Sequence, residues 1–203
     1  MQILKFDRLD STNNHAKALI QEGKAKHGQV IYTVEQTAGR GQATKTWESE
    51  SGKNLTFSLI VQPEHIPPNR QFLICQAVSV GIMKYLEPLV KHERIHIKWP
   101  NDIYVDMKKI AGILIEHNIQ GNRILSTVIG VGLNVNQTKF SKNVPNPTSL
   151  SLVNGAQYDL ETELPKLATS IVNALDSLQI DGGEGVRIEY LHHLLTLDDS
   201  MRK

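Results

Sequence analysis

The chain has 203 residues, 40% hydrophobic and 21% charged, with 22 basic against 21 acidic side chains and a net charge of +1. That describes one sizeable domain, or one domain with a small appendage, with ample material for a core. It has neither the long basic block of a general nucleic-acid binder nor an apolar run near the ~20 residues of a membrane span. The amino-terminal MQILKFDRLDST shows no secretory-signal pattern. Cys75 is the single cysteine, so no internal disulfide can form; it sits in an apolar run and reads as a small buried hydrophobe. A reducing cytoplasm is the expected compartment.

Residues 3–6 read as a short strand. Asp10, Ser11, Thr12 and Asn13 are helix-start residues. Ala16, Leu19 and Ile20, at i, i+3 and i+4, predict a helix that stops at Gly23. Capping is the plain reading of Ser11-Thr12-Asn13, yet hydroxyls at a helix N-terminus also suit a polar or anionic ligand. Residues 29–36 carry Val30-Ile31-Tyr32-Thr33-Val34 and predict a strand, which delivers Gln36 into the stretch QTAGRGQATKTW. Gly39 and Gly41 can turn backbone N–H groups towards a ligand, and Arg40 between them offers a planar charged fork for carboxylate or phosphate. Lys45 adds a second cation and Trp47 a ring. An anion cradle beside a ring platform suits a nucleotide; by itself the motif also reads as a mobile glycine loop. Residues 54–62 predict another strand, and the polar connection 37–53 is longer than most.

Residues 63–68 predict a turn region. Residues 71–90 predict a long helix, apolar on most sides and therefore central and buried. A short strand at 95–98 is ended or redirected by Pro100 within Lys98-Trp99-Pro100-Asn101-Asp102. Residues 103–105 and 109–117 predict a hairpin turning at 106–108. Lys109 opens an apolar strand, which buries its stem and leaves the ammonium near the strand end; a solvated hairpin tip is the bland reading of Lys108-Lys109. After a turn at 120–122, residues 125–136 predict a strand whose Gly130 and Gly132 permit close backbone approach. A Pro/Asn/Ser-rich connection follows at 138–154, then a helix at 160–178 with one apolar side. Gly182-Gly183 breaks the chain before a last short helix within 186–203, with no core of its own. The mixed order of elements predicts α+β, with a mixed or largely antiparallel sheet flanked by helices, over a doubly wound sheet. The eight histidines show no HExxH spacing, and neither a Walker A motif nor a GxSxG elbow occurs.

Taken in order, Ser11-Thr12-Asn13, Gln36-x-x-Gly39-Arg40-Gly41…Trp47, KWPND at 98–102, KIAGILIE at 109–116 and GVGLNVN at 130–136 resemble the catalytic domain of biotin protein ligases (biotin–acetyl-CoA-carboxylase ligases). The resemblance runs from about residue 6 to 178. It implies the biotin/lipoate ligase fold, related to class II aminoacyl-tRNA synthetases, over residues 1–180. Residues 181–203 would then form a short helical tail where the family usually continues into a small β-barrel-like domain. It implies ATP- and magnesium-dependent conversion of biotin to biotinyl-5′-AMP, then transfer to a lysine of a biotin carboxyl carrier protein. By the family pattern Ser11, Thr12, Asn13 and Gln36 meet the ureido end of biotin, and Gly39 and Gly112 belong to the same binding set. Arg40, Gly41 and Gln42 lie over biotin and the α-phosphate, and Lys109 reaches the biotin carboxylate and the phosphate it attacks. Arg40 and Lys109 are the catalytic pair. Trp47 packs near the adenine and Asn134 reads it. Lys45, Lys98, Asn101 and Asp102 serve the ATP phosphates, with Asp102 the magnesium candidate.

Three departures from the family pattern set further expectations. Many members read GRGRRGR-x-W where this chain reads GRGQATKTW. Gln42 and Lys45 replace arginines and Thr44 a glycine, so Gln42 is expected to hold the adenylate less tightly. No helix-turn-helix precedes the pattern, so repressor activity is not expected. The missing β-barrel-like domain makes complete turnover less assured than adenylate chemistry. A lipoate or octanoate ligase or transferase on the same fold, and a non-catalytic biotin or biotinyl-AMP binder, are the competing readings. No nucleic-acid or membrane partner is expected, and exposed strand edges allow a homodimer.

Overall fold

β-Branched and aromatic runs form the strands, and their period-2 alternation decides which face each residue serves. The computed structural model describes residues 1–43, 45–90 and 95–195. Its strands are β1 (Gln2–Leu9), β2 (Gln29–Gln36), β3 (Leu55–Val61), β4 (Ile95–Lys98), β5 (Asp102–Val105), β6 (Lys108–Gln120) and β7 (Arg123–Leu133). They make one sheet in the order β1-β2-β3-β7-β6-β5-β4. β1 and β2 are parallel, joined by the crossover helix α1 (Thr12–Gln21). The remaining neighbours are antiparallel. The mixed sheet with flanking helices is the architecture the sequence predicts. Thr44 and the end of the expected last helix lie outside the described residues.

β3 is buried along its whole length, because both faces of the sheet are covered at its centre. On one face lie α2 (Phe72–Leu86) and α4 (Leu160–Ser177), packed on Leu55, Phe57, Leu59, Ile129 and Val131. The two helices cross at Gly81, where a Cβ would stand 2.7 Å from the Ile171 Cα. α2 is shorter than the predicted helix because Pro88, without an N–H, follows its end. The other face carries α1 over a small cluster of Ala16, Ile31, Ile60 and Val128. Beyond α1 no helix among the described residues covers that face, and there the cavity lies.

Two short elements fall where the sequence signals loop or tail. α3 (Leu150–Asn154) interrupts the connection 138–154, capped by Ser149, whose side chain accepts from Leu152 N at 3.2 Å, and closed by Gly155 at φ +74°. α5 (Glu184–His192) lacks a core of its own but docks on that of the domain, burying Val186 and Tyr190. Beyond it the chain runs beside β4, with Ile97 N donating to His193 O at 2.8 Å and Leu195 N to Ile97 O at 2.8 Å.

Candidate functional site

The register places three rows of residues across β3, β7 and β6 on the α1 face: Thr56–Gly132–Gly112, Ser58–Gly130–Leu114 and Ile60–Val128–Glu116. The first two rows are small at their centre, so other elements can settle on the sheet. Asn13 settles on Gly130, where a Cβ would stand 2.3 Å from its Oδ1. Asn13 Nδ2 donates to Leu114 O at 3.3 Å and Glu116 Oε2 at 2.9 Å. Ser58 Oγ lies 2.8 Å from Thr12 Oγ1 and 2.6 Å from Asn13 Oδ1. Gln36, at the end of β2, accepts at Oε1 from Thr12 N (3.0 Å) and Thr12 Oγ1 (3.3 Å). Ser11 holds the N-cap position with extended backbone but makes no side-chain capping bond. Capping is therefore backbone geometry alone here, and the polar side chains at this helix start face the sheet and the cavity.

Residues 39–43 and 45–47 form a small hairpin instead of an open loop. Arg40 bridges Thr46, Gly41 N donates to Lys45 O at 2.8 Å and Trp47 N to Gly39 O at 3.0 Å. Ala43 takes φ +53° at its tip. The hairpin lays the Trp47 ring on the first row. A Cβ at Gly132 would lie 2.2 Å from Trp47 Cε2, and one at Gly112 2.9 Å from Trp47 Cζ3. Arg40 reaches across to Glu116, with Nη1–Oε2 at 3.2 Å and Nη2–Oε1 at 3.1 Å, and its Nη1 also donates to Asn14 Oδ1 at 3.0 Å. Glu48 beyond the hairpin accepts from Ser141 N (3.2 Å) and Ser141 Oγ (2.6 Å), tying the 37–53 connection to the 138–146 stretch.

The third group of residues comes from the turn between β4 and β5 and the start of β6. Asn101 pairs with Ile113 through both main chain and side chain, Ile113 N–O at 3.0 Å and Nδ2–Ile113 O at 2.6 Å. The Pro100 carbonyl below accepts from Cys75 Sγ at 3.2 Å and from Tyr190 Oη at 3.4 Å. Burial pushes the Cys75 thiol up to about 12, with Asp102 adding to it against a lowering contact from Ser79. Asp102 Oδ1 stands 2.7 Å from Lys109 Nζ, both side chains about a quarter exposed. The Lys109 ammonium also sits 5.6 Å from the Trp47 ring centre, and Lys98 Nζ 5.4 Å from that of Tyr104. This grouping depends on a β-bulge. The pairing shifts so that Ile103 faces Ala111 but Tyr104 faces Lys109. The extra residue turns Lys109 onto the same face as Gly112, which simple alternation would deny it. Residues 146–148 brace the spot, through Lys109 N–Asn146 O at 2.7 Å and Thr148 N–Lys109 O at 2.8 Å.

These groups enclose a cavity of ≈ 580 Å³, within the range of about 300–1,000 Å³ of small-molecule sites. Ser11, Thr12, Asn13, Gln36, Arg40, Gly41, Gln42, Lys45, Trp47, Lys98, Asn101, Asp102, Lys109, Gly112 and Asn134 all line it. Gly39 does not. It lies under the Trp47 carbonyl, which a Cβ would meet at 2.2 Å, and so serves the hairpin's closure. Asn134 is 3% exposed; its Nδ2 donates to Thr148 O at 2.9 Å, but among the described residues its Oδ1 has no partner, nor has the buried Nε1 of Trp47. An unpaired acceptor and an unpaired donor in one cavity wall are costly unless a ligand meets them. No group of three His, Cys, Asp or Glu able to hold a metal occurs among the described residues.

Sequence reasoning missed Ser58, Tyr104 and the stretch 140–145, of which Phe140, Asn143, Val144 and Pro145 line the wall. It also missed Glu116, which binds Asn13, Arg40 and, at 2.9 Å, Lys17 Nζ. Burial favours the neutral Glu116 carboxyl, but the donors from Lys17, Asn13 and Arg40 prevail and hold it below the usual carboxylate range. Two-residue spacing from Gly112 was the available signal, since it puts Glu116 on the cavity face.

A profile described as the biotin/lipoate A/B protein ligase family matches residues 5–134. The bifunctional ligase/repressor BirA of Bacillus subtilis is 34% identical over 160 residues, 77% of this chain and 48% of that protein. The biotin–[acetyl-CoA-carboxylase] ligase of Mycobacterium tuberculosis is 31% identical over 142 residues, 69% of this chain and 51% of that protein. The chain thus spans about half the length of the curated relatives it matches. The solved biotin protein ligase of Aquifex aeolicus in complex with biotin and ATP superposes with a TM-score of 0.81 at 24% identity, covering 96% of this chain and 78% of that one. At that identity the likeness establishes the shared fold.

Proposed function

This chain belongs to the biotin/lipoate A/B protein ligase family, and from that premise we propose that it activates biotin with ATP and passes the biotinyl group to a lysine of a biotin carboxyl carrier protein. The observation that carries the reading is the convergence of Arg40, Lys109, Lys98, Lys45 and the unpaired Asn134 Oδ1 on one cavity. In the first step a biotin carboxylate oxygen bonds to the α-phosphorus of ATP and pyrophosphate leaves. That brings anions together, and fixed cations offset the repulsion and the charge developing on the phosphoryl oxygens. Lys109, held by Asp102 at 2.7 Å, faces the carboxylate and α-phosphate. Arg40, Gly41 and Gln42 close over the adenylate from the hairpin.

Asn134 Oδ1 is an acceptor suited to the adenine amino group, and Trp47 borders the same end. Ser11, Thr12, Asn13 and Gln36 present amides and hydroxyls to the ureido group, Gly112 acts by leaving room for the Trp47 ring, and Gly39 acts through the hairpin turn. Lys45, Lys98 and Asn101 attend the polyphosphate. Asp102, a carboxylate of the cavity wall, would hold magnesium, which keeps several waters and needs one or two carboxylates besides phosphate. The ion would supply charge neutralisation on the phosphates. In the second step a carrier lysine amine bonds to the biotinyl carbonyl carbon and AMP leaves. The division into a catalytic unit at 1–180 and a tail at 181–203 belongs to this proposal, as do a cytoplasmic setting and pairing of two copies through the open β1 edge.

The test measures pyrophosphate release with biotin, ATP and magnesium, with and without a carrier domain, against lipoate and octanoate in parallel. Biotin-dependent release with carrier labelling is expected. Release with lipoate or octanoate in preference to biotin would overturn the substrate, and biotin binding without release would make the protein a binder.

A further inference from the structure

β3 is buried along its whole length, yet Thr56 and Ser58 on its α1 face carry hydroxyls. Thr56 Oγ1 donates to Thr33 O at 3.2 Å. The Ser58 hydroxyl, 0% exposed, turns to the start of α1, 2.8 Å from Thr12 Oγ1 and 2.6 Å from Asn13 Oδ1. Thr12 and Asn13 line the cavity, whereas Ser58 does not. The partners decide where each proton sits. Asn13 Nδ2 is engaged twice, on Leu114 O at 3.3 Å and Glu116 Oε2 at 2.9 Å, which fixes its amide with Oδ1 towards Ser58. An amide oxygen can only accept, and a serine has one proton to give, so Ser58 donates to Asn13. The 2.8 Å contact with Thr12 then needs the Thr12 proton on Ser58 Oγ. The other acceptor near that proton is Gln36 Oε1, farther off at 3.3 Å and already taking Thr12 N at 3.0 Å. On either acceptor the Thr12 proton is held inside the protein.

We infer that Ser58 is a positioning residue for substrate selection: from behind the cavity wall it draws in the Thr12 proton, so that Thr12 Oγ1 meets a ligand as an acceptor only. A hydroxyl free to turn would serve a ligand donor or a ligand acceptor alike. One held as an acceptor favours an N–H at that spot and sets lone pair against lone pair when an oxygen takes its place, and such unpaired polar contacts discriminate strongly. Lipoate, whose ring carries sulfur, and octanoate, whose chain ends in methylenes, offer no N–H there. The inference rests on the proposed function for the identity of the ligand; the junction of Ser58, Thr12 and Asn13 is made by protein groups alone.

The test compares biotin with its two cyclic-carbamate analogues, in which one or the other ureido N–H is replaced by oxygen, in the parent and in Ser58→Ala. The parent should bind one carbamate far more weakly than biotin. In Ser58→Ala the Thr12 hydroxyl can turn and donate, so that preference should narrow by about tenfold, the scale of one buried hydrogen bond. The KM for biotin in pyrophosphate release should rise, with kcat and the KM for ATP at parent values. An unchanged preference in folded Ser58→Ala, or a KM for ATP that rises as much as that for biotin, would overturn the inference and leave Ser58 a mere support of α1. Should Ser58→Ala fail to fold, Ser58→Cys, whose thiol is a weak donor, carries the same expectations and the same refutation. A ligand-free arm measures denaturant unfolding of Ser58→Ala, Thr12→Val and the double variant. Losses that fail to add are expected of a shared hydrogen bond, and additive losses would overturn the inference. Non-additive losses in a protein that binds no biotin would refute the proposed function and uphold the proton assignment.

Discussion

Lys109 meets Asp102 at 2.7 Å and the face of Trp47 at 5.6 Å, so one charge is shared between an ion pair and a ring. Lys109→Met keeps the stem and removes the charge. Biotin-dependent pyrophosphate release should then fall by about 10²–10³-fold, the scale of losing one oriented group that stabilises developing charge, while circular dichroism stays that of the parent. Cys75 offers an independent check on burial. With its thiol at about 12, it should resist a maleimide at pH 8 in the folded protein and react only on unfolding; labelling at the rate of a free thiol would refute the burial. Glu116 gives a pH dependence whose direction is set. Its folded carboxyl lies below the ordinary 4.5, so the stability its pairing with Arg40 and Lys17 supplies is complete above that value and lost as pH falls through the lower folded one. Lys17 from α1 and Arg40 from the hairpin face it. The stability difference between the parent and Glu116→Gln, by denaturant unfolding, should be flat from about pH 5 to 8 and shrink only in stronger acid.

At the scale of elements, the strands and main helices were legible because they rest on local pattern: β2 and β4 carry the predicted bounds. The glycines of β7 were legible as points of close approach, but not what approaches. Gly130 takes Asn13 and Gly132 takes Trp47, partners brought in by tertiary folding from far along the chain. The bulge at Ile110 had no signal either, since period-2 reading assigns Lys109 to the opposite face. Gly132→Ala tests the fit directly. A methyl 2.2 Å from the indole cannot be absorbed, so the ring must leave the sheet. We expect a loss of about 1–3 kcal/mol, typical of overpacking, measured by denaturant unfolding, with Trp47 fluorescence shifted. An unchanged stability and spectrum would mean the ring does not rest there.

Across the whole molecule, the site's residues were readable individually and their assembly was not. The motifs name the turns that carry chemistry, but Pro100 is supported from below by Cys75 on α2 and Tyr190 on α5. α5 read as a tail because its apolar residues are few. Its burial of Tyr190, 1% exposed, is a matter of where α2 and β4 happen to leave room. Tyr190→Ala should cost about 3–5 kcal/mol, the range for a large buried aromatic, by denaturant unfolding, and should raise the KM for ATP through Lys98, Asn101 and Asp102. Tyr190→Phe, which keeps the ring, should preserve most of the stability; equal losses in both would place the energy in the 3.4 Å hydroxyl contact instead.

The sheet order has a consequence for the chain during its synthesis. β1, β2 and β3 come from the first 61 residues and β4 to β7 from 95–133, and the two sets meet only where β3 pairs with β7. The cavity straddles that meeting line. Until the ribosome has released residues past β7, β3 waits with an unpaired apolar edge, the kind of surface that invites chaperones or misassociation. A small molecule that later spans the line touches both halves and favours the joined state over the separated one by mass action. Supply of the ligand would thus govern how much of the newly made protein survives, as well as how fast it works.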